Sequence, residues 1–170
     1  MLFRSNWLNR NDAYTAALFY IVVYTVMSVG AFGMLLVCSR AGFDCENLED
    51  MRGLNRRSPW LAFLMMILML SLAGIPPTAG FYAKLAVFQA AVAADHVWLA
   101  VAAVLLSLVG AFYYLRVVKL MYFDEPVEAQ PVRVQPAARL VLSANGLFLL
   151  VLGILPQSLM AMCAMAVARL

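Results

Sequence analysis

Lys84 is the one Lys, Arg, Asp, Glu or His deep within an apolar stretch of this sequence, and two adjacent prolines, Pro76 and Pro77, precede it. Gly74 and Gly80 flank the proline pair. A charge at the centre of a bilayer costs at least about 2.5–3.5 kcal/mol, so such residues usually face protein or water and usually have a function. This spacing predicts a broken transmembrane helix with a protonatable amine beside the break.

The backbone chemistry of the break follows from the prolines. They lack amide hydrogens, so two carbonyls one turn earlier, those of Leu72 and Ala73, lose their helical donors. Ile75 precedes a proline and is biased away from helical dihedrals. Lipid does not satisfy bare carbonyls, so the break must be buried in protein or line water. Thr78 is expected to cap the helix that resumes, and Tyr82 is a candidate for hydrogen bonding to a water chain, with packing as the alternative.

The depth of Lys84 suggests proton transfer. It lies ten residues before Ala94, the end of the apolar stretch, which is about 15 Å of helix or half of the hydrocarbon thickness. A lysine stem of about 6 Å does not reach an interface easily from there, although snorkelling is the alternative. Burial disfavours the charged amine, so this group can load and release a proton. It needs a carboxylate or a water chain as partner, and no span of this chain supplies a carboxylate.

The composition identifies the class of protein that positions these residues. Of 170 residues, 65% are hydrophobic and 12% charged, with a mean hydropathy of +0.88, against roughly 45–50% and 25% in a typical soluble domain. The sequence therefore predicts an all-α integral membrane protein. The net charge of +3 falls in loops, which argues for membrane topology and not for nucleic-acid binding. Cys38, Cys45 and Cys163 show no CxxC spacing, so thiols are expected and no metal site.

Apolar runs of about 20 residues or more predict four transmembrane spans. These are residues 13–38, 59–94, 97–122 and 137–155, and residues 156–170 are expected to form an interfacial or a continued helix. The second run holds 36 residues, which as a straight helix would measure about 54 Å and exceed a core of about 30 Å. It is either one span that is discontinuous at Gly74–Pro77 or a hairpin of two short pieces.

Charge counting distinguishes the two alternatives. If the second run crosses once, both long loops share one side of the membrane and carry eight Lys and Arg, against three on the other side. The eight are Arg40, Arg52, Arg56, Arg57, Arg116, Lys119, Arg133 and Arg139. A hairpin gives six against five and no orientation signal. The positive-inside rule therefore favours one broken crossing with both termini outside the cytoplasm, and Trp7, Trp60 and Trp98 stand at span edges as interfacial anchors.

Several runs carry a resemblance to a known family. LSLAGIPPTAGFYAKLAVF around the break, YYLRVVKLMYF in the third span and LGILPQSL near the end resemble the antiporter-like membrane-arm subunits of respiratory complex I. That complex is the bacterial proton-pumping NADH:quinone oxidoreductase, and the YYLR run favours its subunit N group (chain 2 in the mitochondrial naming). The similarity covers nearly the whole chain.

The resemblance implies a fold and a site. The family has fourteen helices in an antiporter-like fold, with two inverted five-helix repeats that each contain one broken helix. Residues 1–170 would then be the C-terminal portion of one antiporter-like transmembrane domain, a fragment or a split gene product that supplies the last four helices. Lys84 would be the proton carrier of the second repeat. The helix break would comprise Gly74, Pro76, Pro77, Thr78 and Gly80.

The resemblance also implies a function, partners and cofactors. The chain would translocate protons in the bacterial inner membrane, with both termini periplasmic, while quinone is reduced elsewhere in the complex. NADH, flavin, iron–sulfur clusters and quinone would belong to partner subunits, with no cofactor in this chain. Other membrane-arm subunits, the lipid bilayer and the missing N-terminal helices would surround it. Two alternatives stay open: a subunit of a cation/proton antiporter or membrane-bound hydrogenase, and a structural scaffold without transport of its own.

Overall fold

The computed structural model describes residues 2–40, 48–126 and 134–169, with side chains described from residue 11 onward and not at residue 40. Regular structure in these ranges is helical throughout. The elements are α1 (Leu2–Arg40), a 3₁₀ turn (Leu48–Met51), α2 (Leu54–Arg57), α3 (Pro59–Ala73), α4 (Ala79–Ala93), α5 (Val97–Phe123), α6 (Pro136–Ile154) and α7 (Pro156–Val167). Outside the described residues lie Cys45, Arg133 and the side chains of Arg4, Trp7, Arg10 and Arg40.

Three helices in the described part of the chain are long and apolar enough to cross a membrane: Asn11–Ser39 within α1, α5 and α6. They coincide with the first, third and fourth predicted spans, although α1 begins earlier than predicted, at Leu2. The predicted second span is occupied by two shorter apolar helices, α3 and α4, of 15 residues each. The last helix, α7, is separate from α6 because the backbone leaves helical dihedrals at Leu155.

Helix α3 ends at a glycine rather than at the prolines themselves. Gly74 has φ +81°, in the left-handed region that glycine adopts without strain. The amides of Gly74 and Ile75 both donate to the Leu70 carbonyl at 3.0 Å, a common way to close a helix C-terminus. The chain then passes the prolines and becomes helical again at Ala79.

The buried core is built around α3 and α1. Helix α3 lies against α1, α5 and α6, and α1 also lies against α4 and α7. Phe19 of α1 and Leu64 of α3 are fully buried, whereas Trp98, Leu106 and Phe112 of α5 are 64–72% exposed. An apolar helix surface of this size is typical of a helix that faces lipid or further apolar helices.

Polar contacts join the segment before α3 to the C-terminal end of α5. The Gly53 amide donates to the Leu120 carbonyl at 3.0 Å. Asp124 pairs with Lys119 at 2.6 Å and lies 3.8 Å from the Nε of Arg52. The start of α3 and the end of α5 therefore lie at the same end of the helix bundle.

Candidate functional site

The Lys84 ammonium makes three hydrogen bonds at the helix break. Its Nζ donates to the carbonyl oxygens of Leu72 at 2.9 Å and Ala73 at 3.1 Å. It also donates to the Ser107 hydroxyl oxygen at 2.7 Å. The two carbonyls are the ones that the prolines leave without helical donors. A lysine ammonium carries three donors, so the three oxygens match it.

The lysine reaches these carbonyls because of the direction of its helix and the absence of a side chain at Gly74. Helical side chains tilt toward the N-terminus, so the Lys84 stem runs back along α4 toward the end of α3. A Cβ on Gly74 would lie 2.9 Å from the Lys84 Cδ and 3.3 Å from its Nζ. Gly74 therefore both ends α3 and leaves space for the lysine.

The environment of Lys84 is polar at one end and apolar elsewhere. A cavity of about 180 Å³ adjoins it, and its other lining residues are apolar apart from Ser107. The carbonyls at the end of α3 carry the partial negative charge of a helix C-terminus, which favours a cation there. The first contacts of Lys84 are therefore uncharged oxygens of this chain, and the expected carboxylate or water chain stays a prediction. Ser107 was missed, since a hydroxyl 23 residues away carries no charge that marks it in the sequence.

The start of α4 is capped by α3 and not by its own N-cap side chain. Thr78 occupies the N-cap position as predicted, but its hydroxyl donates to the Ile75 carbonyl at 2.7 Å and makes no capping bond. The Gly80 amide, in the first turn of α4, instead donates to the Ser71 hydroxyl oxygen at 3.2 Å. Ser71 is fully buried and donates to the Met27 sulfur at 3.0 Å. Helices α3 and α4 are therefore joined by a serine that the sequence interpretation did not single out.

Helix α6 packs directly on the proline pair. A Cβ on Gly153 would overlap the Pro77 carbonyl oxygen and lie 2.8 Å from the Ala79 nitrogen. The bond between Pro76 and Pro77 is cis. The contact with Gly153 shows that α6 covers the break on this side. Within a bilayer, backbone that lacks helical hydrogen bonds needs such a cover of protein or contact with water.

Tyr82 lies on a different side of α4 from Lys84. It lines a second cavity of about 350 Å³ between α4 and α7, together with Gln89 and Gln157. It does not border the cavity beside Lys84. The geometry therefore does not bring Tyr82 together with the lysine as part of one site.

The sequence is similar to that of a known protein family and to those of individual curated proteins. The family described as NADH:quinone oxidoreductase/Mrp antiporter, TM, matches residues 1–110. NADH-quinone oxidoreductase subunit N of Thiobacillus denitrificans is 64% identical over 156 residues, covering 92% of this chain and 32% of that protein. Subunit N of Azoarcus sp. is 56% identical over 152 residues, covering 89% and 31%. The chain thus spans about a third of the length of these relatives.

Two solved structures share the fold. A chain of respiratory complex I from Thermus thermophilus with bound aureothin matches with a TM-score of 0.73 and 32% identity, over 87% of this chain and 34% of that one. A chain of the Mrp complex from Dietzia sp. matches with a TM-score of 0.76 and 22% identity, over 92% and 38%. The second likeness is one of fold alone.

Proposed function

The chain belongs to the NADH:quinone oxidoreductase/Mrp antiporter membrane family, and from that premise we propose that it is part of a proton-translocating membrane-arm subunit of NADH:quinone oxidoreductase. Its role is to couple quinone reduction elsewhere in the complex to proton pumping, with Lys84 as the proton carrier. The observation that carries this proposal is the set of three hydrogen bonds from Lys84, two to the carbonyls at the end of α3 and one to the Ser107 hydroxyl of α5. NADH, flavin, iron–sulfur clusters and quinone are held by partner subunits, and this chain lies in the bacterial inner membrane.

The partners of Lys84 suit a group that both holds and releases a proton. A carboxylate next to a lysine stabilises the charged amine strongly and keeps it charged. Here the acceptors are two carbonyls and one hydroxyl, which satisfy the ammonium without neutralising its charge. Because the described partners of Lys84 are uncharged, a charged group elsewhere in the complex is able to shift the protonation of Lys84. No ion pair between Lys84 and a described carboxylate has to separate first.

We further propose that α3 and α4 form one discontinuous span, the second of four. Helix α5 has 27 residues, or about 40 Å. Its start follows α4 across a short corner at residues 94–96, and near its end the Leu120 carbonyl bonds to Gly53, just before α3. One continuous helix thus connects both ends of the α3–α4 segment, which supports a single crossing. The chain then corresponds to the C-terminal four spans of a fourteen-helix subunit, with both termini periplasmic.

Cysteine labelling from the two sides of the membrane tests the single crossing. We expect Glu49→Cys and Glu125→Cys to be labelled from the cytoplasm and Asp95→Cys from the periplasm, in a background without the native cysteines. All three positions are exposed. A hairpin formed by α3 and α4 would place Glu49→Cys and Asp95→Cys on the same side, opposite Glu125→Cys, and would contradict the proposal.

The proposed function is tested by proton uptake into inverted membrane vesicles. Deleting the coding sequence should abolish NADH-driven uptake that an uncoupler collapses, and the intact gene should restore it. A tagged chain should co-purify with NADH-oxidising subunits. Co-purification with a cation/proton antiporter assembly instead, with NADH-driven uptake unchanged in the deletion strain, would show the alternative function to be correct.

A further inference from the structure

Among the three acceptors of Lys84, Ser107 is the only one that is also a hydrogen-bond donor. We infer that Ser107 is the proton-relay residue through which Lys84 gains and loses its proton, an inference that rests on the proposed function. Leu72 and Ala73 contribute only carbonyl oxygens, which accept hydrogen bonds and never donate them. The hydroxyl of Ser107 lies 2.7 Å from Nζ, the shortest of the three contacts.

One partner of Lys84 must change from hydrogen-bond acceptor to donor, because the amine loses one of its three hydrogens when it is deprotonated. The charged amine has three hydrogens and satisfies all three oxygens. The neutral amine has two hydrogens and a lone pair, so one oxygen loses its donor and the nitrogen needs a donor in return. Ser107 meets both needs when its hydroxyl turns to donate to Nζ. The carbonyls of Leu72 and Ala73 then keep their bonds, and the end of α3 stays capped in both protonation states without a movement of Lys84.

The transfer step is a balanced relay. An N–H bond of the Lys84 ammonium breaks as its proton binds to the Ser107 oxygen, while the original O–H bond of the serine breaks and delivers its proton to a water molecule. Lys84 and Ser107 are both neutral afterwards, and the positive charge resides on the water chain. The reverse sequence reloads the lysine.

The cavity beside both residues provides space for that water chain. The cavity is open on one side, and its volume of about 180 Å³ is larger than the roughly 10–15 Å³ that a site needs to hold one water. Lys84 and Ser107 are its only hydrogen-bonding side chains among the described lining residues, which otherwise are apolar, such as Phe81, Phe88 and Val104. No other described side chain at this cavity competes for the proton of Lys84. Because Ser107 lies on α5, the proton leaves on the α5 side, away from the core formed by α1 and α3.

Two substitutions of equal volume test the relay in the assembled complex. Ser107→Thr keeps the hydroxyl, and Ser107→Val replaces it with a methyl group of the same shape. We expect Ser107→Thr to pump at close to the wild-type rate and Ser107→Val to lower the initial rate of NADH-driven proton uptake per assembled complex at least about tenfold, as for loss of a positioned proton-transfer group. Ser143→Val is the matched control, because Ser143 hydrogen-bonds Trp60 on α3 and does not contact Lys84.

The outcomes separate the relay from the function of the subunit. If Ser107→Val pumps normally while Lys84→Arg does not, the relay is wrong and the proposed function stands. If both variants pump normally, the relay is wrong and so is the assignment of Lys84 as the proton carrier. If the valine variant does not assemble, Ser107→Ala removes the hydroxyl without adding volume, and a normal rate in it overturns the relay. Rescue by threonine alone, with normal pumping in the Ser143→Val control, supports the relay over a packing role.

Discussion

Replacing Lys84 with arginine should leave the complex assembled and stop its proton pumping. A guanidinium keeps the positive charge and offers five donors to the carbonyls of Leu72 and Ala73, but it does not deprotonate in proteins. The adjoining cavity of about 180 Å³ gives the larger group space. We therefore expect normal amounts of assembled complex and a loss of NADH-driven proton uptake of at least about tenfold, measured in inverted vesicles.

Two further variants isolate the cause of that loss. Lys84→Met keeps the length of the stem but removes every donor, so the unsatisfied carbonyls should lower stability by about 1–3 kcal/mol each as well as stop pumping. Lys119→Arg makes the same chemical change outside the site, where Lys119 pairs with Asp124 at 2.6 Å, and it should pump normally. Wild-type pumping by Lys84→Arg would exclude a role for this lysine as a proton carrier.

The fold was predictable where it depends on local chemistry. Runs of apolar residues fix the spans of α1, α5 and α6, because a helix must hide its backbone from lipid over a set length. The prolines predict which carbonyls lose their donors, because the helical hydrogen bond joins residues four apart. The position of α7 was left open, because the charges and prolines near it do not distinguish an interfacial helix from a continued one.

The site was predictable only in part, because its remaining partners come together through tertiary packing. Ser107 and Ser71 are neutral residues in apolar helices, and their roles depend on which helix faces which. The expectation that Thr78 caps α4 was wrong, because its hydroxyl is turned to donate to the Ile75 carbonyl at 2.7 Å and accepts no amide of α4. The charged residues of the sequence do not identify Ser107 and Ser71 as hydrogen-bond partners at the break.

Adding one methyl group at Gly80 should destabilise the protein, whereas adding it at Gly110 should not. A Cβ on Gly80 would overlap the Ser71 carbonyl oxygen and lie 2.7 Å from its carbon, so the backbone of α3 would have to shift. Overpacking of this kind costs about 1–3 kcal/mol. At Gly110 the nearest atom is the Cε2 of Tyr114 at 3.8 Å, an ordinary contact. Gly110→Ala should therefore be neutral or stabilise α5 by up to about 0.5–1 kcal/mol, because glycine weakens a helix interior.

The shift at Gly80→Ala should also reach the proposed proton carrier, because Ser71 directly precedes Leu72, whose carbonyl binds Lys84. We expect a lower midpoint of thermal unfolding for purified Gly80→Ala in detergent and slower pumping by the complex that does assemble, with neither change in Gly110→Ala. Equal unfolding midpoints for the two variants would mean that α3 and α4 do not approach closely at Gly80. Lower stability with normal pumping would mean instead that Lys84 tolerates displacement of the carbonyls that bind it. The close packing of α3 and α4 would then stabilise the fold without positioning Lys84.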